Sequence, residues 1–280
     1  MTNTLGFIQR ETAALLRNVS DAPALEAGLL IEHVTGSNRT QQHASPDTIV
    51  TASQLNALQQ LRQQRLTGTP LAYLLGEAHF WTLKLHVNSA VLIPRPETEL
   101  VVERALLHLV DDHARVLDLG TGSGAIALAI ATERPHARVW ASDRSSAALA
   151  VARGNAAQCG VNNVEFYRSD WFTALPPQAY RLIVSNPPYI AVDDPHLAAA
   201  VLAHEPEIAL IAGPNGLEAL QTIVTHAPKY LQPNGWLVME HGWQQAAAVR
   251  ELLESTGYCS VASHADLAGH QRVTEGQWPH

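Results

Sequence analysis

The sequence predicts an α/β protein: an open, mostly parallel sheet with helices on both faces, preceded by a small helical domain. Three observations predict it. The first 70 residues place apolar side chains at helical spacing. A short stretch then alternates apolar and polar residues one by one, the pattern of a half-buried strand. From Arg115 onward, short apolar runs alternate with helical segments, the rhythm of parallel strands joined by crossover helices. The expected division is a helical domain over residues 1–70, a hairpin linker over 71–95 and an α/β domain over 96–280. A length of 280 residues accommodates this.

In the helical part, Ile8, Thr12, Leu15, Leu16 and Val19 share one face of a first helix. Asp21 and Pro23 open a second, whose buried stripe is Leu25, Leu29, Leu30 and Val34, and Gly36 stops it. A third runs from Thr51 through Leu55, Leu58 and Leu61 to Leu66, ended by Gly68-Thr69-Pro70. This block carries no catalytic constellation and reads as a bundle that packs or grips a partner. Leu83, Leu85 and Val87 then alternate with Thr82, Lys84 and His86. Asn88-Ser89 is read as a turn into a partner strand, Val91-Leu92-Ile93. Pro96 is placed to open a helix carrying Leu100, Val101, Leu106 and Leu109. Strands follow at Val116-Leu117, Val139 to Ala141, Val164 to Tyr167, Leu182 to Val184 and Trp236 to Met239. Helices are expected over Ala125–Glu133, Ser145 to about Gln158, and about Leu217 to Tyr230. Residues Tyr258 to Trp278 read as further strand paired around Gly269. Ser37–Asp47 and Ala191–His196 are the loose-linker candidates.

Composition excludes several classes. An apolar fraction of 46% with 16% charged residues supports a sizeable core, and a net charge of −8 supplies no global field to attract nucleic acid. Cys159 and Cys259, with no C-x-x-C, argue against a disulfide scaffold or a structural zinc site and fit a reducing compartment. His204-Glu205-Pro206-Glu207 is not a helical H-E-x-x-H, so no metal site is expected. Arg10, Glu11 and Arg17 interrupt any signal-peptide core, and no run approaches the roughly 18 apolar residues of a membrane span. The expectation is a soluble, cytoplasmic monomer bound neither to DNA nor to a membrane.

Two motifs carry chemistry. Asp118-Leu119-Gly120-Thr121-Gly122-Ser123-Gly124 follows the first strand of the α/β part. Its glycines let the backbone turn sharply beside a ligand, and the next helix aims free N–H groups at that space. Alone the loop also satisfies a relaxed dinucleotide pattern. Asp118 would repel a pyrophosphate but suits a cationic amino-acid moiety. Asp143, after the second strand, suits ribose hydroxyls, and Asp170-Trp171, after the third, suits adenine. S-adenosylmethionine, which carries an ammonium, a sulfonium and a ribose but no phosphate, matches this acidic trough. The second motif, Asn186-Pro187-Pro188-Tyr189, follows Leu182-Ile183-Val184. Prolines stiffen the backbone and remove donors, so the corner is rich in acceptors and can hold a planar –NH2 group beneath an aromatic ring.

With these residues in place, the chain resembles the protein-(glutamine) methyltransferases that modify peptide chain release factors, the PrmC/HemK family. The similarity spans nearly the whole length. It includes Pro70 to Gly76, Leu92-Ile93-Pro94-Arg95-Pro96-Glu97-Thr98-Glu99, Asp118 to Gly124, Ser169 to Phe172, Val184 to Ile190, Glu205-Pro206, Glu240 to Gln245 and Arg272-Val273. It implies a Rossmann-like class I methyltransferase seven-stranded sheet, a helical N-terminal substrate-recognition domain joined by a β-hairpin, and S-adenosylmethionine as methyl donor. The implied acceptor is the glutamine of the Gly-Gly-Gln loop of class I release factors. Cofactor contacts would be Gly120, Thr121, Gly122, Ser123, Gly124, Asp143, Trp171 and Asn186. The glutamine would meet Asn186, Pro187, Pro188 and Tyr189, with Asn186, Pro187 and Tyr189 catalytic. Ala212-Gly213-Pro214-Asn215-Gly216 departs from the family's usual Gly-Gly-x-Asp-Gly in what reads as a surface turn. Glu97 and Glu99 fit helix caps as well as ligand contacts, and Glu205 fits a loop anchor. The same corner could also hold the exocyclic amine of a flipped adenine or guanine. A non-catalytic cofactor binder and a dinucleotide oxidoreductase are the remaining alternatives.

Overall fold

A computed structural model describes residues 3–111, 113–194 and 204–280. The chain divides into two compact units, Met1–Gly76 and Glu77–His280. The expected linker at 191–196 lies partly outside the described residues.

The first unit holds α1 (Leu5–Leu16), α2 (Pro23–Thr35), α3 (Arg39–Ala44), α4 (Ala52–Leu66) and α5 (Leu71–Leu75). Its core is built from Leu5, Ile8, Leu16, Leu30, Ile31 and Leu58. Leu15 and Leu25, expected on buried faces, are exposed, because α1 turns Ile8, Thr12 and Leu16 inward and α2 turns Ala27, Gly28, Leu30 and Ile31 inward. The loose linker expected over 37–47 contains α3. Asn38 and Gln41 form a reciprocal capping box that starts it, a local signal the polar composition hides. Arg65 of α4 donates to Glu26 of α2 at 2.7 Å, tying the two helices together.

The second unit opens with a hairpin, β1 (Glu77–Phe80) and β2 (Leu83–His86), paired antiparallel from Glu77↔His86 to Phe80↔Leu83. The partner of β2 is therefore upstream, not Val91-Leu92-Ile93. Trp81 adopts φ 55 in the tight turn. The Asn88 side chain accepts from Ala90 N–H at 2.9 Å, and the irregular chain after it ends in prolines that offer no ladder donors. Pro96 opens a 3₁₀ turn, Pro96–Thr98, before α6 (Glu99–His108).

Seven strands make the main sheet: β3 (Arg115–Leu119), β4 (Arg138–Asp143), β5 (Val164–Arg168), β6 (Tyr180–Ser185), β9 (Leu231–Glu240), β10 (Cys259–Ala265) and β11 (Gln271–Trp278). Two short strands, β7 (Ile190–Ala191) and β8 (Ile211–Gly213), pair separately. The main order is β10-β11-β9-β6-β3-β4-β5, and β11 alone runs against its neighbours. Strand residues alternate between two cores, as a sheet covered on both faces requires. Val116, Val139, Leu182 and Val184 face α6 and α7 (Ala125–Glu133). Leu117, Leu119, Ile183 and Leu237 face the helices Glu218–His226 and Ala246–Thr256. The first of these ends at His226 rather than Tyr230, because Pro228 cannot continue it and a 3₁₀ turn, Ala227–Lys229, takes over. α8 (Ser146–Cys159) completes the crossover between β4 and β5. Among the described residues no helix is long and apolar enough to cross a membrane.

Candidate active site

From β3 the chain proceeds to β4 and β5 on one side, then returns to place β6 on the other. The carboxyl ends of β3 and β6 thus flank the point where the winding reverses, which is where open α/β sheets bind ligands. Leu119 is paired with Ser185 there, and the Ser185 hydroxyl donates to the Leu119 carbonyl at 2.7 Å. Beyond this rung a cleft of about 300 Å³ opens.

Gly120, Gly122 and Gly124 have φ of 71, 56 and 86°, values that strain any residue with a Cβ. A Cβ on Gly124 would also meet Leu128 at 3.1 Å and Ala152 at 3.3 Å. The loop is tied to the next strand, since Gly120 and Thr121 N–H both donate to the Ser142 carbonyl at 2.9 Å. Asp143 is held from both sides: Gly122 N–H donates to it at 3.0 Å and Ser145 N–H at 2.8 Å. Each oxygen keeps a lone pair for a ligand. Burial pushes the Asp143 pKa up, against the two backbone donors that favour its charge.

Gly120, Thr121, Gly122, Ser123, Asp143, Asp170, Trp171, Asn186 and Pro188 all line the cleft. Gly124 does not; it turns the chain into α7. Asp118, expected to face a cation, is fully buried outside the lining. Its carboxylate accepts from the Thr121 hydroxyl at 2.6 Å, and burial lifts its pKa to about 7. Pro187 is buried and Tyr189 half-buried, and neither lines the cleft.

The Asn-Pro-Pro-Tyr corner is fixed by a chain of hydrogen bonds. Asn186 Nδ2 donates to Thr98 Oγ1 at 3.0 Å. The Thr98 hydroxyl donates to Glu240 Oε2 at 2.6 Å, and the Tyr189 hydroxyl donates to Glu240 Oε1 at 3.2 Å. One buried carboxylate thereby holds both ends of the motif. Burial raises the Glu240 pKa to about 7, and its hydroxyl donors pull the other way. Burial and the nearby Glu240 charge push the Tyr189 pKa up, so its phenol stays protonated. Behind the corner, Gln245 Nε2 donates to the Tyr189 carbonyl at 2.9 Å and the Gly216 carbonyl at 3.1 Å.

A family described as a methyltransferase domain matches residues 110–278, and one described as the PrmC N-terminal domain matches 8–76. A release factor glutamine methyltransferase of Xylella fastidiosa (strain 9a5c) is 51% identical over 91% of this chain and 93% of its own length. One of Escherichia coli (strain K12) is 43% identical over 96% and 97%. The chain belongs to the release factor glutamine methyltransferase family. A solved methyltransferase from Pyrococcus furiosus, 16% identical, shares the fold with a TM-score of 0.53 over 71% of this chain and 90% of that one.

Several residues that fix the Asn-Pro-Pro-Tyr corner were not legible as site residues. Thr98 and Glu240 stand in quotable motifs, yet neither the Thr hydroxyl's partner nor the burial of Glu240 shows in the sequence. The run Ala212 to Gly216, expected to be a surface turn, ends against the motif: Gly216 is buried at φ 73, and a Cβ there would lie 2.5 Å from the Tyr189 carbonyl. Glu205 is buried, forms an ion pair with Arg95 at 2.5 Å and accepts from Ile93 N–H at 3.4 Å, so it anchors the chain that lines the cleft. Glu99 accepts from Trp81 N–H at 2.7 Å and Glu97 is exposed; neither lines the cleft.

The donor set fits S-adenosylmethionine. Asp143, Asp170 and Glu218 line the cleft against Arg95 and Arg144, and Arg95 is already paired with Glu205. An excess of carboxylates disfavours a pyrophosphate and suits a ligand with cationic groups. Among the described residues no group of His, Cys, Asp and Glu could hold a metal ion.

Proposed function

We propose that the protein methylates the side-chain amide nitrogen of the glutamine in the Gly-Gly-Gln loop of class I peptide chain release factors. The observation that carries this reading is the orientation of Asn186. Thr98 gives its only hydrogen to Glu240 and so must accept from Asn186, which turns the Asn186 carbonyl oxygen away from Thr98. That oxygen is left as an acceptor at a cleft-lining position.

An amide nitrogen is a weak nucleophile because its lone pair is delocalised into the carbonyl. Asn186 Oδ1 and the Pro187 carbonyl each accept one hydrogen of the substrate –NH2, fixing the plane of the group. Both interactions strengthen as positive charge grows on nitrogen, so they favour the transition state over the ground state. Correct placement of the reacting groups adds an orientational contribution of several kcal/mol. No general base is needed before attack, since the alkylated nitrogen sheds its proton readily. Tyr189, anchored by its hydroxyl to Glu240, holds the far end of the motif and shields it from water. Bound S-adenosylmethionine supplies an electrophilic methyl group. Gly120 to Ser123 shape its bed, Asp143 offers acceptors for ribose hydroxyls, and Trp171 with Asp170 offers an aromatic surface and a carboxylate for adenine. The helical unit over residues 1–76 grips the release factor.

Mass spectrometry of release factor incubated with the enzyme and S-adenosylmethionine tests the proposal. One added methyl group on the loop glutamine is expected. Tritium appearing in DNA or ribosomal RNA, with none in release factor, would replace this reading with methylation of an exocyclic amine.

A further inference from the structure

At the end of the strands opposite the cleft, three arginines cluster. Arg115 on β3 is in register with Arg138 on β4. Arg181 on β6 stands one residue before the Val116–Leu182 pair, where the pairing of β6 with β9 is irregular. Residues in register on neighbouring parallel strands point to the same face, so Arg115 and Arg138 stand about 4.8 Å apart, and Arg181 lines the same groove. Arg115 and Arg138 are exposed and Arg181 is half-buried. All three line an open groove of about 700 Å³ with His113, Gln232 and Asp111.

This cluster is unfavourable on its own terms. Like charges side by side on a sheet repel, and among the described residues no ion pair joins any of the three to a carboxylate. Asp111, the acid in the lining, accepts from the His113 N–H at 2.9 Å. Arg181 is also braced, its guanidinium donating to the Asn234 carbonyl at 2.7 Å. A chain of net charge −8 with 18 lysines and arginines concentrates three of them in one groove. Three guanidiniums lining one groove sum to a local positive potential that attracts an anion.

We propose that this groove binds an oligophosphate anion, taken either free or as consecutive phosphodiesters of an RNA strand. Guanidinium forks match phosphate oxygens two at a time, and a row of forks suits several phosphates in line better than a single carboxylate. The four strand steps from Arg115 to Leu119 separate the groove from the cleft by roughly 13 Å. Binding there leaves the cofactor bed open and does not depend on the methyl-transfer reading.

The test uses the full chain at low salt. Fluorescence anisotropy follows a labelled single-stranded RNA oligonucleotide, and calorimetry follows inorganic tripolyphosphate. The variants are Arg115→Gln/Arg138→Gln and, as a control for loss of an exposed arginine outside the groove, Arg153→Gln. Wild type should bind at least one of the two ligands, and the double variant should lose tenfold or more while Arg153→Gln changes little. For RNA, three phosphate contacts give a log–log salt slope of about −2, which the double variant should flatten to about −0.7. RNA tighter than tripolyphosphate by more than tenfold assigns the groove to a nucleic-acid backbone; equal or weaker RNA binding assigns it to a free oligophosphate. Relief of repulsion should also raise the melting temperature of the double variant in phosphate-free buffer. No binding of either ligand by wild type, or equal losses in the double variant and Arg153→Gln, would overturn the proposal.

Discussion

Thr98 and Glu240 are separated by 142 positions, yet the Thr98 hydroxyl donates to the Glu240 carboxylate at 2.6 Å inside the protein. The direction of that bond decides which end of the Asn186 amide Thr98 meets. It makes a residue outside the Asn-Pro-Pro-Tyr motif responsible for the motif's polarity.

Thr98→Val keeps the shape but removes the hydroxyl, leaving the Glu240 oxygen and the Asn186 –NH2 without their shared partner. The turnover rate should fall by one to two orders of magnitude, with S-adenosylmethionine affinity changed less than threefold. The fold should lose about 1–3 kcal/mol, the usual cost of an unsatisfied buried polar group. Thr98→Ser should restore most of the rate. Steady-state kinetics with melting curves on the three proteins separates positioning from simple destabilisation.

Asn186→Ala removes the acceptor itself. Turnover should be lost while the circular dichroism spectrum stays that of wild type. Methyl transfer to release factor at near wild-type rate would remove Asn186 from the chemistry.

Asp143→Ala should weaken cofactor binding well over tenfold. The Asp143 carboxylate also receives Gly122 and Ser145 N–H, so the loss includes the shape of the glycine loop. Asp143→Asn keeps an acceptor oxygen and should lose less, and calorimetry orders the three proteins.

Glu240 ties activity and stability to pH in opposite senses. Only its carboxylate form is restricted to accepting from Thr98, so turnover should rise as pH climbs through about 7, the value to which burial lifts this group. A Glu240→Gln variant should be slow and flat across that range. For stability, a carboxyl whose folded pKa lies above its unfolded value favours the fold at low pH and loses that favour as pH rises. Between about pH 4.5 and 7 the loss is on the order of 3 kcal/mol for a shift of this size. The melting temperature of wild type should therefore fall more steeply from pH 4.5 to 8 than that of Glu240→Gln. Equal slopes would place the titration on other groups, Asp118 among them.

The legible parts of the molecule were those written in local pattern. Alternation of apolar runs and helices marked the parallel sheet, and Gly120-x-Gly122-x-Gly124 marked its ligand end, because positive φ strongly favours glycine. The partner of β2 was misplaced because Val91-Leu92-Ile93 has strand composition, while Glu77-Ala78-His79-Phe80 does not alternate cleanly; the tight turn at Trp81 decided the pairing. The site was half legible for a similar reason. Asn186 and Asp143 announce themselves by motif, whereas Thr98, Glu240 and Gln245 act through partners that only the folded sheet brings near. Asp118 sat in the right motif, but its complete burial between β4 and β6, with the Thr121 hydroxyl donating to it, appears only in the folded sheet.

The rung joining Leu119 to Ser185 places the glycine loop and the Asn-Pro-Pro-Tyr corner at the ends of two neighbouring strands of one sheet. The strand ends that seat the two motifs are set by main-chain spacing, and Thr98, Glu240 and Gln245 fix the corner beyond them. Changes confined to the segment directly after Tyr189 could therefore suit a different nucleophile while the strand ends that seat both motifs stay in place.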